Sequence, residues 1–77
     1  MARYGVTIDD PASRRSKIVE AKNFRTLVKN LFPDFECNEG EDGEYRYELD
    51  LYLKENATRF SVVNSDTKKI EYCSNEF

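Results

Sequence analysis

The stretch Glu44-Tyr45-Arg46-Tyr47-Glu48-Leu49-Asp50-Leu51-Tyr52-Leu53-Lys54 decides the fold. Tyr45, Tyr47, Leu49, Leu51 and Leu53 fall on every second position, with mostly charged residues between them. Side chains alternate faces along a strand, so this period of two predicts a long central strand with one face buried and the other in water. On that reading Glu48, Asp50 and Tyr52 share the solvated face. Downstream, Glu55-Asn56 reads as a turn, and Thr58, Phe60 and Val62 as the inward face of a second strand. Asn64-Ser65-Asp66-Thr67 reads as another turn. Ile70 and Tyr72 then complete a last strand, and fraying is expected from Ser74 onward.

Upstream, Ala2, Tyr4, Val6 and Ile8 alternate with Arg3, Gly5 and Thr7, the pattern of a half-buried strand. Asp9-Asp10-Pro11 ends it. Asp10 suits a helix N-cap and Pro11 the first helical position, so a helix is expected to start between residues 11 and 17. At helical spacing Ala21, Phe24, Leu27, Val28, Leu31 and Phe32 share a face. Pro33 stops the helix and biases Phe32 away from helical geometry. Phe35 and Cys37 suggest a short strand over 34–38, followed by a loop over 39–43.

The expected fold is therefore α+β, a single domain over residues 1–77. One helix packs on one face of a 3–5-stranded antiparallel sheet, in the order β-α-β-β-β. Tyr4, Val6, Ile8, Phe24, Leu27, Val28, Leu31, Leu49, Leu51, Leu53, Phe60, Val62 and Ile70 are the expected core. At 77 residues the chain cannot divide its apolar residues between two cores. One core of this size supplies roughly 3–5 kcal/mol, which leaves room for a stabilising partner or a homodimer.

Composition narrows the chemistry. Histidine and tryptophan are absent. Without histidine the chain lacks the commonest general base, nucleophile activator and nitrogen ligand for zinc, so no catalytic residues, metal ligands or cofactor are assigned. Glu48 and Asp50 share a strand face, but an exposed sheet offers no cleft to separate their pKa values. The acids around Gly40 and Gly43 miss the EF-hand spacing, since Gly43 at position 6 puts Leu49 where a Glu ligand belongs. Cys37 and Cys73 form no zinc or redox spacing and are read as free thiols. No apolar run is long enough to span a bilayer, and Met1-Ala2-Arg3-Tyr4 leads into no secretory core, so a cytoplasmic protein is expected.

Charge is what stands out. Residues 1–32 carry a net +4 and residues 33–77 a net −7, giving the formal −3. The acids concentrate at Glu39, Glu41, Asp42, Glu44, Glu48 and Asp50, with Tyr52 beside them as an aromatic anchor. A rigid array of carboxylates would present a phosphate-like row to a basic groove. Arg15, Lys22, Arg25 and Lys29 form the opposing signal, a basic stripe on the expected helix, with Ile18 as an exposed apolar residue inside it. That stripe suits phosphate contacts, although no stacking aromatic interleaves with it.

Small acidic single-domain chains without catalytic residues include many inhibitors encoded by phages and mobile elements, such as anti-CRISPR and anti-restriction proteins. This chain is similar to them in class, without a shared motif. The expectation is a non-enzymatic protein-binding module whose acidic surface blocks a basic nucleic-acid-binding site on a larger protein or ribonucleoprotein. The alternative is a small nucleic-acid-binding or regulatory protein that uses the basic stripe.

Overall fold

A computed structural model describes residues 1–38 and 40–74. Glu39 and the segment 75–77 lie outside the described residues. The elements are β1 (Ala2–Asp9), β2 (Arg14–Ala21), α1 (Phe24–Leu31), α2 (Asp42–Glu55), β3 (Arg59–Asn64) and β4 (Ile70–Cys73). The class is α+β, but among the described residues the order is β-β-α-α-β-β, with two helices in place of one. All strand pairs are antiparallel, in the spatial order β2-β1-β3-β4.

The first correction lies at residues 10–21. The Asp10 carboxylate accepts hydrogen bonds from the Ala12 and Ser13 N–H groups at 2.9 and 2.8 Å, and the Asp10 N–H reaches the Ser13 carbonyl at 2.9 Å. An aspartate that caps a helix bonds the same two amides, two and three residues on. Here they close a hairpin, and Asp9 pairs with Arg14 across it. The backbone bonds hold the Asp10 carboxyl below the usual carboxylate range, with Arg15 adding to the effect.

The first helix starts at Phe24 instead. Asn23 caps it, its side-chain oxygen accepting from the Thr26 N–H at 2.9 Å. Leu27 and Val28 are buried on the face the periodicity indicated, and Phe32 leaves helical geometry before Pro33, as expected. Asn23→Ala is expected to lower stability by about 1 kcal/mol and Asn23→Asp to leave it nearly unchanged, measured by urea denaturation.

The second correction is the deciding stretch itself, which is α2. Tyr45, Leu49 and Leu53 are buried at intervals of four and face the sheet. The strand and helix readings agree at these positions. They part at Tyr47 and Leu51, which the helix turns outward to 62% and 39% exposure. Asp42 and Glu44 in the first turn and Lys54 in the last complement the helix dipole. The expected short strand at 34–38 is a connection whose Phe35 and Cys37 pack on the core.

Both helices cover one face of the sheet. Tyr4, Val6, Ile8, Phe60, Val62 and Tyr72 from the strands meet Leu27, Val28, Tyr45, Leu49 and Leu53 from the helices in one core. The turn at Asn64 forms as expected, its side chain accepting from the Asp66 and Thr67 amides at 2.9 and 3.1 Å. Ile70 was expected in the core and is 73% exposed. A bulge is the cause: Val62 pairs with Tyr72 but Val63 with Ile70, so Glu71 is an extra residue and Ile70 falls on the far face.

No described element covers that far face. Strand register lays it out in rows. Glu20 and Arg3 form one end row, and Arg14, Asp9 and Arg59 the other. Between them run an apolar row, Ile18, Gly5, Val63 and Ile70, and a row of small residues, Ser16, Thr7, Ser61 and Cys73.

Candidate functional site: the outer face of the second helix

The acidic residues singled out in the sequence do not share one surface. Glu41 is the N-cap of α2, with no side-chain cap bond, and Asp42 and Glu44 lie in the first turn. Asp42 pairs with Arg25 of α1 at 3.3 Å. Arg25 also donates to the Gly40 carbonyl at 3.2 Å and lies 4.3 Å from the centre of the Tyr45 ring. One member of the acidic set and one of the basic set therefore tie the start of α2 to α1.

Asp50 is half-buried and accepts a hydrogen bond from the Tyr72 hydroxyl. Burial, and the Asp50 carboxylate it donates to, push the Tyr72 phenol well above its ordinary value. Arg46 completes this group: its guanidinium stacks 4.6 Å from the Phe24 ring centre and donates to the Glu71 carbonyl. Asp50 thus serves the interior. Tyr52, expected as an exposed anchor, is half-buried between Phe32 and Phe35, with ring centres 6.0 and 5.2 Å away.

The basic stripe is also redistributed. Arg15 belongs to β2 and pairs with Asp10 at 3.3 Å, and Lys22 lies in the link between β2 and α1. Only Arg25 and Lys29 sit on a helix together. The continuous cationic face required residues 14–22 to be helical, and they are not.

What the helix does assemble is a different acidic surface. Glu44, Glu48, Leu51 and Glu55 fall within one narrow arc of α2, and Tyr47 flanks it. Beside them, Asp34, Phe35 and Glu36 from the α1–α2 connection line a shallow depression with Glu48, Leu51, Tyr52 and Glu55. The result is carboxylates around an apolar and aromatic centre, carried on a rigid helix packed to the core. Glu44 and Glu48 were identified from sequence. Asp34 and Glu36 belong to the same acidic stretch of sequence but were not assigned to the site, and Tyr47, Leu51 and Glu55 were missed, because a strand reading puts Tyr47 and Leu51 inside and separates Glu55 from Glu48. A helical-wheel plot of 42–55 brings them together.

Cys37 is half-buried, Cys73 is exposed, and both are free thiols. Among the described residues no three of His, Cys, Asp or Glu are placed to hold a metal ion. Among the described residues no helix is long and apolar enough to cross a membrane. No protein-family model, curated protein or solved structure matches this chain.

Proposed function

We propose that the chain is a non-enzymatic protein-binding module, an inhibitor of the anti-CRISPR or anti-restriction type. Its acidic surface covers a basic nucleic-acid-binding site on a larger complex. The observation that supports this is the α2 arc, where Glu44, Glu48 and Glu55 surround Leu51 with Tyr47 62% exposed alongside. Interfaces draw affinity from an aromatic or apolar centre and specificity and encounter rate from the charged rim around it. Helix geometry sets Glu44 and Glu48 about one turn apart and Glu48 and Glu55 about two, so the charges form a row on a rigid support.

The test is DNA cleavage by a panel of purified restriction and RNA-guided nucleases, with and without the protein. Inhibition of at least one enzyme, falling as salt rises, is the expected result. The triple variant Glu44→Lys, Glu48→Lys, Glu55→Lys should weaken it by about a hundredfold while its circular dichroism is unchanged. Inhibition that survives the triple variant, or none across the panel, rejects the proposal. A salt-sensitive gel shift of DNA or RNA by the protein alone would point to the nucleic-acid-binding alternative instead.

A further inference from the structure

The uncovered face of the sheet is complementary to itself. We infer that two copies of this chain pack there face to face, about a twofold axis that runs outside the far face, parallel to the rung Lys17–Val6–Val62. That rung is fixed by register: Val6 pairs with both Lys17 and Val62. Rotation about this axis keeps each strand over its own counterpart and exchanges the rows on either side.

Three consequences follow from the rows. Ile18 lands on the partner's Ser16, Gly5 on the partner's Thr7, Val63 on the partner's Ser61 and Ile70 on the partner's Cys73, so each large apolar residue meets a small one. A shallow depression lies where Gly5 leaves a gap between Ile18 and Val63, extending over Thr7 and Ser16. At the ends, Glu20 of one copy meets Arg14 of the other, and Arg3 meets Asp9. Each contact occurs twice. Opposite charges meet at all four, and the Asp66 turn, whose carboxylate accepts from the Arg3 N–H at 3.5 Å, lies at the end that faces the partner's Arg59.

An axis parallel to the strands would instead lay the apolar row on itself and Asp9 on Arg59, leaving Glu20 and Arg14 apart, so the charge-swapped mixture below separates the two arrangements. The sheets would run aligned at a separation of about 10 Å, as in β-sandwiches. Strand spacing and rise give a footprint of roughly 500 Å² on each copy, and so about 1,000 Å² in total, the lower bound for a specific interface. The dimer is accordingly expected to be a weak, concentration-dependent one. Its exposed apolar residues explain the demand: Ile18 and Ile70 are 68% and 73% exposed in the single chain, on one face, in one row. The acidic arc of α2 lies on the opposite side of the sheet and remains open in both copies.

Sedimentation velocity between 5 and 200 µM tests this. The expected result is a mass rising from 9.0 kDa toward twice that value. Ile18→Glu, at an exposed position, should stay monomeric throughout with unchanged circular dichroism. Arg14→Glu and Glu20→Arg should each weaken self-association at least tenfold, since each sets two like-charged pairs across the axis. Mixing these two variants restores both pairs, so an equimolar mixture should dimerise when neither does alone. A monomer at 200 µM, a dimer that survives Ile18→Glu, or a mixture no better than its components overturns the inference.

Discussion

Leu49→Ala is expected to cost about 2–5 kcal/mol, whereas Leu51→Ala costs at most about 0.5 kcal/mol. Leu49 has no exposed surface and touches the sheet through the centre of α2, while Leu51 stands on the outer arc. A domain of this size has about 5 kcal/mol in total by the usual scaling of stability with length. Leu49→Ala therefore leaves much of the protein unfolded at 37 °C. Urea denaturation of the two variants measures the contrast. Equal losses would return Leu51 to the interior and restore the strand reading of 44–54.

Raising the pH above 10 is expected to destabilise the protein progressively, with Tyr72 as the main cause. Its hydroxyl is buried, donates to Asp50, and has a pKa above its ordinary value of 10.0. The sign follows from linkage. Below pH 10 the phenol is neutral in both states and its hydrogen bond contributes fully. Above pH 10 the unfolded chain releases the proton while the folded chain retains it, so unfolding gains up to about 1 kcal/mol per pH unit after solvent screening. Tyr4 and Tyr45 are shifted the same way by burial and add to the slope. Tyr72→Phe should cost about 1 kcal/mol at pH 7 and flatten the loss between pH 10 and 12. Thermal melts across that range check both effects; a Tyr72→Phe variant with the unaltered slope would contradict the assignment.

Strands β1 and β3 were legible because each has one face on the core and the other away from the helices, so a period of two is the physical pattern. The helical face of Leu27 and Val28 and the stop at Pro33 were legible for similarly local reasons. The failures occurred where one local signal serves two structures. The amides of Ala12 and Ser13 bond Asp10 in a hairpin turn as they would in a capped helix. What separates the cases is Ile18 and Val19, β-branched residues that pair with Gly5 and Tyr4 in the sheet. Residues 44–54 failed because Tyr45, Leu49 and Leu53 fit periods of two and of four equally well. Two outward apolar residues, Tyr47 and Leu51, then completed a false alternation.

The acidic site inherited that error. Its charge was visible in the sequence, but the side on which each carboxylate stands depends on helix or strand geometry. Asp50 consequently turned toward Tyr72 and is half-buried, and Glu55 joined Glu48. Ile70 shows a further limit: a single extra residue in β4 reverses its face, and nothing in Ile70-Glu71-Tyr72 marks the bulge.

The position of β1 in the middle of the sheet sets the order in which the chain can fold. Its first neighbour, β2, follows at once through a four-residue turn, but its second, β3, is the other side of both helices, and Val6 must wait for Val62. Closing that loop carries an entropic cost before any contact across it is made. During synthesis the β1–β2 hairpin therefore leaves the ribosome with Tyr4, Val6 and Ile8 uncovered and the β3-side edge of β1 open. Any pause before residue 59 prolongs the interval in which that edge can pair with another chain.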